Sequence, residues 1–165
     1  TASGRASQVI DPVKVDDEVV SSSIIREAVA AGDFTRANRF LGREASFSGE
    51  VVHGDHRGRV MGFPTANLQL EASQKILPPN GVYACHADTP EGSYPAIVNI
   101  GVRPTFDRSN HLLEAHLLNF TGDLYHRTIR IRFVQRIRAE KRFPDMQALV
   151  DQIHRDLAAL QNIIP

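Results

Sequence analysis

Thr128-Ile129-Arg130-Ile131-Arg132-Phe133-Val134-Gln135-Arg136-Ile137 alternates apolar and cationic side chains through its first half. That period of two reads as a β-strand with one apolar and one solvated face. The strand lies within a basic segment from His126 to Arg142, in which Arg127, Arg130, Arg132, Arg136, Arg138, Lys141 and Arg142 are opposed only by Glu140. Alternation accounts for much of this charge, because a strand that faces water on one side carries its cations there. The segment lacks the interleaved aromatics of a base-stacking surface. The whole chain has a formal net charge of zero, so it has no basic footprint and nucleic acid is not an expected partner.

Working outward, Phe47 to His53, Gly81 to Ala87, Tyr94 to Gly101 and Leu112 to Phe120 read as further strands bounded by turn residues. Asp88-Thr89-Pro90-Glu91-Gly92-Ser93 suits a hairpin loop, and Phe120-Thr121-Gly122-Asp123 begins another connection. Short strands in succession favour a closed or nearly closed barrel, since closure removes exposed edges. A helix follows them: Pro144 can take its first position, Asp145 suits its positive end, and Met146, Leu149, Val150, Ile153, Leu157 and Leu160 recur on one face. A helical hairpin precedes them. Ser22 or Ser23 can cap a helix from Ile24 to Ala31 that Gly32 ends, and Asp33 can cap a second through Leu41 before Gly42.

The chain has 165 residues, 42% of them hydrophobic, with no apolar run near the roughly 20 residues of a membrane span. One core without covalent staples is expected, and no membrane partner. The single cysteine, Cys85, cannot form an internal disulfide and reads as a small buried residue, which suits a reducing cytoplasm. Residues 1–10 show no charged region leading into an apolar one, so no signal peptide is expected.

Chemistry concentrates in Gly54-Asp55-His56-Arg57-Gly58-Arg59-Val60-Met61-Gly62-Phe63-Pro64-Thr65-Ala66-Asn67. Glycines let the backbone approach phosphate oxygens closely, and Arg57 and Arg59 supply positive charge. Thr65 and Asn67 offer hard oxygens to magnesium, which commonly takes one or two protein ligands beside substrate phosphates. No Gly-Lys-Ser or Gly-Lys-Thr occurs, so this is not a Walker A loop. His53 and His56 lack the partner spacing of a zinc site, and no zinc is assigned.

The stretch Gly62 to Asn67, GFPTAN, resembles the signature of the ATP-dependent riboflavin kinases, and later segments match that family in order. They are Leu77-Pro78-Pro79-Asn80-Gly81-Val82-Tyr83-Ala84, Val98-Asn99-Ile100-Gly101-Val102-Arg103-Pro104-Thr105-Phe106, Glu114-Ala115-His116 and Asp123-Leu124-Tyr125. The resemblance runs from about Ser46 to Leu160. It implies a mainly β fold, a six-stranded antiparallel, Greek-key-like barrel with a C-terminal helix packed on it. Upstream, Val20-Ser21-Ser22-Ser23-Ile24-Ile25-Arg26 resembles the closing motif of the nucleotidyltransferase domain that precedes the kinase in bifunctional bacterial FAD synthetases. Residues 1–43 are therefore expected to be the tail of an adenylyltransferase domain, and 44–165 the kinase domain.

The resemblance implies transfer of the γ-phosphoryl group of ATP to the ribityl 5′-hydroxyl of riboflavin, giving FMN and ADP. It places the catalytic carboxylate at Glu114 and magnesium at Thr65 and Asn67. Gly58, Arg59 and Gly62, with Phe63 and Pro64, belong to the loop over the phosphates, and Asn99 helps frame the nucleotide. Thr105 and Phe106 read either as flavin contacts or as a buried aromatic beside a proline turn, and Arg138, Glu140 and Phe143 resemble the segment enclosing the flavin. On the residues alone, Glu114 sits on a strand whose alternate positions Leu113, Ala115 and Leu117 are apolar, so its carboxylate projects from a rigid element. Asp55, Asp107 and Asp123 compete for the role of base. His116 shares the face of Glu114 and could touch the substrate, orient the carboxylate or simply be a hydrogen-bonded strand histidine. His126 departs from the glycine that commonly follows Asp-Leu-Tyr in the family, which puts the turn there in question. Two rival functions are a non-catalytic flavin- or nucleotide-binding module of a larger FAD synthetase and an FMN adenylyltransferase.

Overall fold

Ile129, Ile131 and Phe133 are buried and Arg130 is exposed, as their alternation requires. The computed structural model describes residues 11–54, 57–70, 76–102 and 111–165. A short ribbon, β1 (Lys14–Val15) and β2 (Glu18–Val19), leads into α1 (Ser22–Ala31) and α2 (Phe34–Leu41). Then come β3 (Ala45–Val52), the single turn α3 (Arg57–Val60), β4 (Ala66–Leu70), β5 (Gly81–Thr89), β6 (Gly92–Val102), β7 (His111–Leu117), β8 (Thr128–Ala139) and α4 (Met146–Ile163). Strands β3 to β8 close an antiparallel barrel in the order β3-β4-β7-β6-β5-β8.

Closure pairs every strand on both sides, and its inward face is continuous. Val51, Leu68, Leu113, Ala115, Val98, Ile100, Cys85, Ile131 and Phe133 belong to one buried cluster. Burial pushes the Cys85 thiol well above its ordinary range, so it stays protonated near neutrality. The expected strands are present with shifted ends, and β7 stops at Leu117 because Asn119 turns the chain at a φ of 58°. Strand β4 was not among the expected strands. It is only five residues long, and the polar residues on its other face hide the Ala66, Leu68, Leu70 alternation.

Both helices of the N-terminal hairpin end at glycines in the left-handed region, Gly32 at φ 75° and Gly42 at φ 65°. The cap of α1 is Ser21, not Ser22 or Ser23: its hydroxyl accepts the Ile24 amide at 3.3 Å. Asp33 caps α2 through the Arg36 amide at 3.0 Å. The hairpin is built into the barrel. Phe34, 1% exposed, stacks on Phe133 at 4.5 Å and meets Tyr83 edge-on at 5.6 Å. Asn38 donates to the Phe133 carbonyl and accepts from the Ala45 amide, both at 2.8 Å, across the pair where β3 and β8 begin to match.

Helix α4 crosses the outside of β5, β6 and β8. Its cap is Asp145, which accepts the Ala148 amide at 2.8 Å, so Pro144 precedes the helix instead of opening it. The expected apolar stripe holds except at its start: Leu149, Val150, Ile153 and Leu157 are half-buried and Leu160 is buried, but Met146 is 59% exposed, and the polar Gln152 and Asp156 are buried with them. Asp156 takes a two-pronged ion pair from Arg138, at 3.0 Å from Nε and 2.8 Å from Nη2, and accepts from Gln152 at 2.8 Å. Lys141 donates to Gln152 at 2.7 Å. The basic segment is thus only partly a solvated face. Arg132 grips Asp88 and Glu44, Arg138 binds Asp156, and Arg136 donates to the Asn80 carbonyl at 2.8 Å.

Candidate functional site

In an antiparallel pair, residues directly opposite share a face, with Cβ atoms about 4.5–5.5 Å apart. Asn67 of β4 is opposite Glu114 of β7, and Glu114 is opposite Asn99 of β6. Their chain neighbours Leu68, Leu113 and Ile100 are buried in the core cluster. The three polar residues therefore form one row across the outer face of the barrel. The row continues through Val82 of β5 to Arg138 of β8, under α4.

One end of the row is roofed by the glycine-spaced segment. A Cβ on Gly54 would lie 2.1 Å from Asn67 Nδ2, so only a bare backbone fits there. Gly58 is similarly confined: its Cβ would come within 2.4 Å of the Phe63 carbonyl and 3.2 Å of Thr65 Oγ1. The Gly58 carbonyl accepts from the Met61 amide at 3.2 Å and the Phe63 amide at 2.8 Å, closing a tight turn over α3. Arg59 and Gly62 are exposed on this turn. Pro64 is held from below, its carbonyl accepting from His116 Nδ1 at 2.8 Å. That bond fixes the proton on Nδ1 and makes His116 a hydrogen-bonded strand histidine, one of the three readings open to it in sequence, and one that here braces the loop.

Asn67 is 6% exposed, yet its Oδ1 has no hydrogen-bond partner among the described residues. A buried, unpaired carbonyl oxygen is costly unless something else satisfies it. With the Thr65 hydroxyl two residues away, the donor set suits a hard divalent cation that keeps most of its other ligands as water or phosphate.

The opposite end of the row is also polar. Glu140 accepts from Asn80 Nδ2 at 3.1 Å, and its Oε1 lies 3.1 Å from where a Gly101 Cβ would stand, with Asn99 Nδ2 at 3.8 Å from the same point. The absence of a side chain at Gly101 opens the floor beside Asn99. Arg138 does not face this space with a free guanidinium, because Asp156 holds it. Phe143 lies beneath the cations of Arg138 at 5.7 Å and Lys141 at 5.1 Å. Thr105 and Phe106 lie outside the described residues, as do Asp55 and Asp107. Asp123 caps its own turn, accepting from the Tyr125 amide at 2.9 Å.

The structure thus brings Thr65, Asn67, Glu114 and Asn99 together with Gly58, Phe63 and Pro64, and sets Glu140 at the far edge. Sequence reasoning gave no role to Asn80, Gln152 or Asp156. Asn80 lies in a quoted motif, but the signal for Gln152 and Asp156 was weak, one polar pair four residues apart on a helix that carries many other polar residues.

A family model described as "Flavokinase: Riboflavin kinase" matches residues 41–164. A bifunctional riboflavin kinase/FMN adenylyltransferase of Pseudomonas fluorescens is 43% identical over 94% of this chain and 50% of its own length. Among solved structures, a macrolide-efflux protein from Streptococcus pneumoniae superposes with a TM-score of 0.86 at 33% identity, over 93% of this chain and 50% of that one. A riboflavin kinase from Trypanosoma brucei superposes with a TM-score of 0.52 at 28% identity, over 72% and 78%. The chain spans about half the length of the curated relatives it matches.

Proposed function

This chain belongs to the flavokinase family, and on that premise we propose that it transfers the γ-phosphoryl group of ATP to the ribityl 5′-hydroxyl of riboflavin, giving FMN and ADP. The observation that carries the reading is the row Asn67–Glu114–Asn99 beneath a glycine turn. Phosphoryl transfer needs little covalent chemistry from a protein; alignment and charge neutralisation supply most of the rate. Glu114 accepts the hydroxyl proton as the 5′-oxygen bonds to phosphorus and the bond to ADP breaks. Its strand is hydrogen-bonded on both sides, so the carboxylate is held on a rigid base.

Thr65 and Asn67 would hold magnesium, which when bound supplies positive charge to the phosphate oxygens. The orphaned Asn67 Oδ1 supports this assignment. The turn through Gly58, Arg59, Gly62, Phe63 and Pro64 covers the phosphates and limits access of water to the transferring group. Asn99 frames the nucleotide. Glu140 and Phe143, with Thr105 and Phe106, line the flavin side, and Arg138 contributes by fixing that segment to α4.

We assign residues 44–165 to the kinase domain and residues 1–43 to the tail of a preceding adenylyltransferase domain, the partner in the longer protein, acting in the cytoplasm. The efflux description of the Streptococcus pneumoniae neighbour stays with that protein, while the family match and the Trypanosoma brucei neighbour point toward the kinase. Incubation with riboflavin, ATP and magnesium, followed by separation of the flavins, tests the proposal. FMN should accumulate with an equal amount of ADP; riboflavin that binds but is not phosphorylated would leave only a binding module.

A further inference from the structure

Phe63 is half-buried and is gripped from two elements that are far apart in sequence. Its ring meets His116 of β7 edge-on, at 5.8 Å and 85°, and His154 of α4 edge-on, at 5.3 Å and 78°. The backbone of Phe63 donates to the Gly58 carbonyl at 2.8 Å, and Gly58 has no room for a side chain because the Phe63 carbonyl and the Thr65 side chain crowd it. A continuous line of contacts therefore runs from α4 through Phe63 and Gly58 to Thr65.

The helical end of this line is firmly based. His154 stands between Gln152 and Asp156, which are buried, hydrogen-bonded to each other at 2.8 Å and tied to Lys141 and Arg138. Those contacts leave α4 little freedom to turn about its axis. The His154 ring itself is exposed, and no hydrogen bond among the described residues ties it into the α4 anchor. Its ring contact is Phe63.

We propose that His154 is a positioning residue for the turn from Gly58 to Thr65, pressing Phe63 against His116 so that α4 sets where the Thr65 hydroxyl sits. The proposal rests on the magnesium role given above to Thr65 and Asn67. It assigns α4 a part in the phosphate side of the site as well as in the packing of β5, β6 and β8. An edge-on aromatic contact can hold a few-fold to about tenfold bias between docked and undocked loop, which sets the size of effect to expect.

Two readouts on the intact chain test it. The first is trypsin cleavage after Arg59, on the exposed side of the turn, followed by the mass of the fragments. The second is the magnesium concentration that half-saturates FMN formation. For His154→Ala, nicking after Arg59 should be about three- to tenfold faster and the magnesium requirement should rise by a similar factor, with the thermal midpoint within about 2 °C of the parent. His154→Phe keeps an aromatic edge and should restore both. Unchanged nicking in His154→Ala overturns the proposal, as does faster nicking that merely follows a lowered thermal midpoint or that His154→Phe does not reverse. Should the parent chain form no FMN, the kinase reading fails, and the trypsin comparison of the two variants still decides whether His154 holds the turn.

Discussion

Asn67 and Glu114 stand directly opposite each other on β4 and β7, with Asn99 completing the row from β6. A proposed metal ligand and a proposed base thus share one rung of a barrel, at a separation fixed by backbone hydrogen bonds. Removing the carboxylate should leave that rung intact. Glu114→Ala is expected to fold, to bind ATP and to lose phosphoryl transfer by about 10²- to 10⁴-fold, the usual worth of a positioned general base. FMN formation and thermal unfolding measured side by side check this; near-normal turnover would move the base elsewhere.

Asn67→Ala and Thr65→Ala should raise the magnesium requirement or abolish turnover. Because Asn67 Oδ1 is buried without a partner among the described residues, its removal relieves a cost that an ordinary buried amide would not carry. Metal-free Asn67→Ala should therefore keep its stability to within about 1 kcal/mol in urea titrations. A magnesium titration identical to the parent's would take these residues out of the site.

Phe34 joins the N-terminal hairpin to the barrel through Phe133 and Tyr83. Phe34→Ala should cost about 3–5 kcal/mol, the usual range for a fully buried aromatic. Denaturant unfolding measures it, and a loss below about 1 kcal/mol would mean that the hairpin only rests on the barrel.

His126 occupies the left-handed region at φ 61°. There it keeps a backbone that suits glycine, and its amide bonds the Val51 carbonyl at 2.9 Å. A side chain in this region costs about 1–2 kcal/mol, partly offset by the greater unfolded-state freedom of glycine. His126→Gly should thus raise the urea midpoint modestly. A lowered midpoint would show that the contacts of His126 with Glu50 and His53 outweigh the strain.

Hydrogen bonds from Arg132 hold the Asp88 carboxyl below its ordinary 3.8. A group with a depressed folded value contributes stability above its unfolded value and loses it as the pH falls through the folded one. Stability should therefore decline below about pH 4, and Asp88→Asn should flatten that decline. Urea midpoints between pH 2.5 and 6, on the order of the window set by this linkage, would reveal the difference.

Much of the outline was legible because it depends on local chemistry. The Ile129, Ile131, Phe133 alternation marks β8, Asp33 and the two left-handed glycines bound the hairpin, and the crowded turn around Gly58 follows from the glycine spacing. Asp156 was not legible. A carboxylate on a helix normally faces water, and its burial follows from Arg138, eighteen residues away in sequence. Strand β4 was missed for a related reason: five residues after a loop carry too short a pattern to stand apart until neighbours pair with them.

Residue identity and spacing alone determined the strand periodicity, the helix boundaries to within a few residues, the glycine turn and the membership of Thr65, Asn67 and Glu114 in recognisable motifs. Only the tertiary structure decided that Asn67, Glu114 and Asn99 form one row, that Phe34 enters the barrel core and that Phe63 lies between His116 and His154. The reason is register. A slip of one residue in any strand pairing turns each side chain to the other face, so a row drawn from three strands exists only once closure of the barrel has fixed every pairing together.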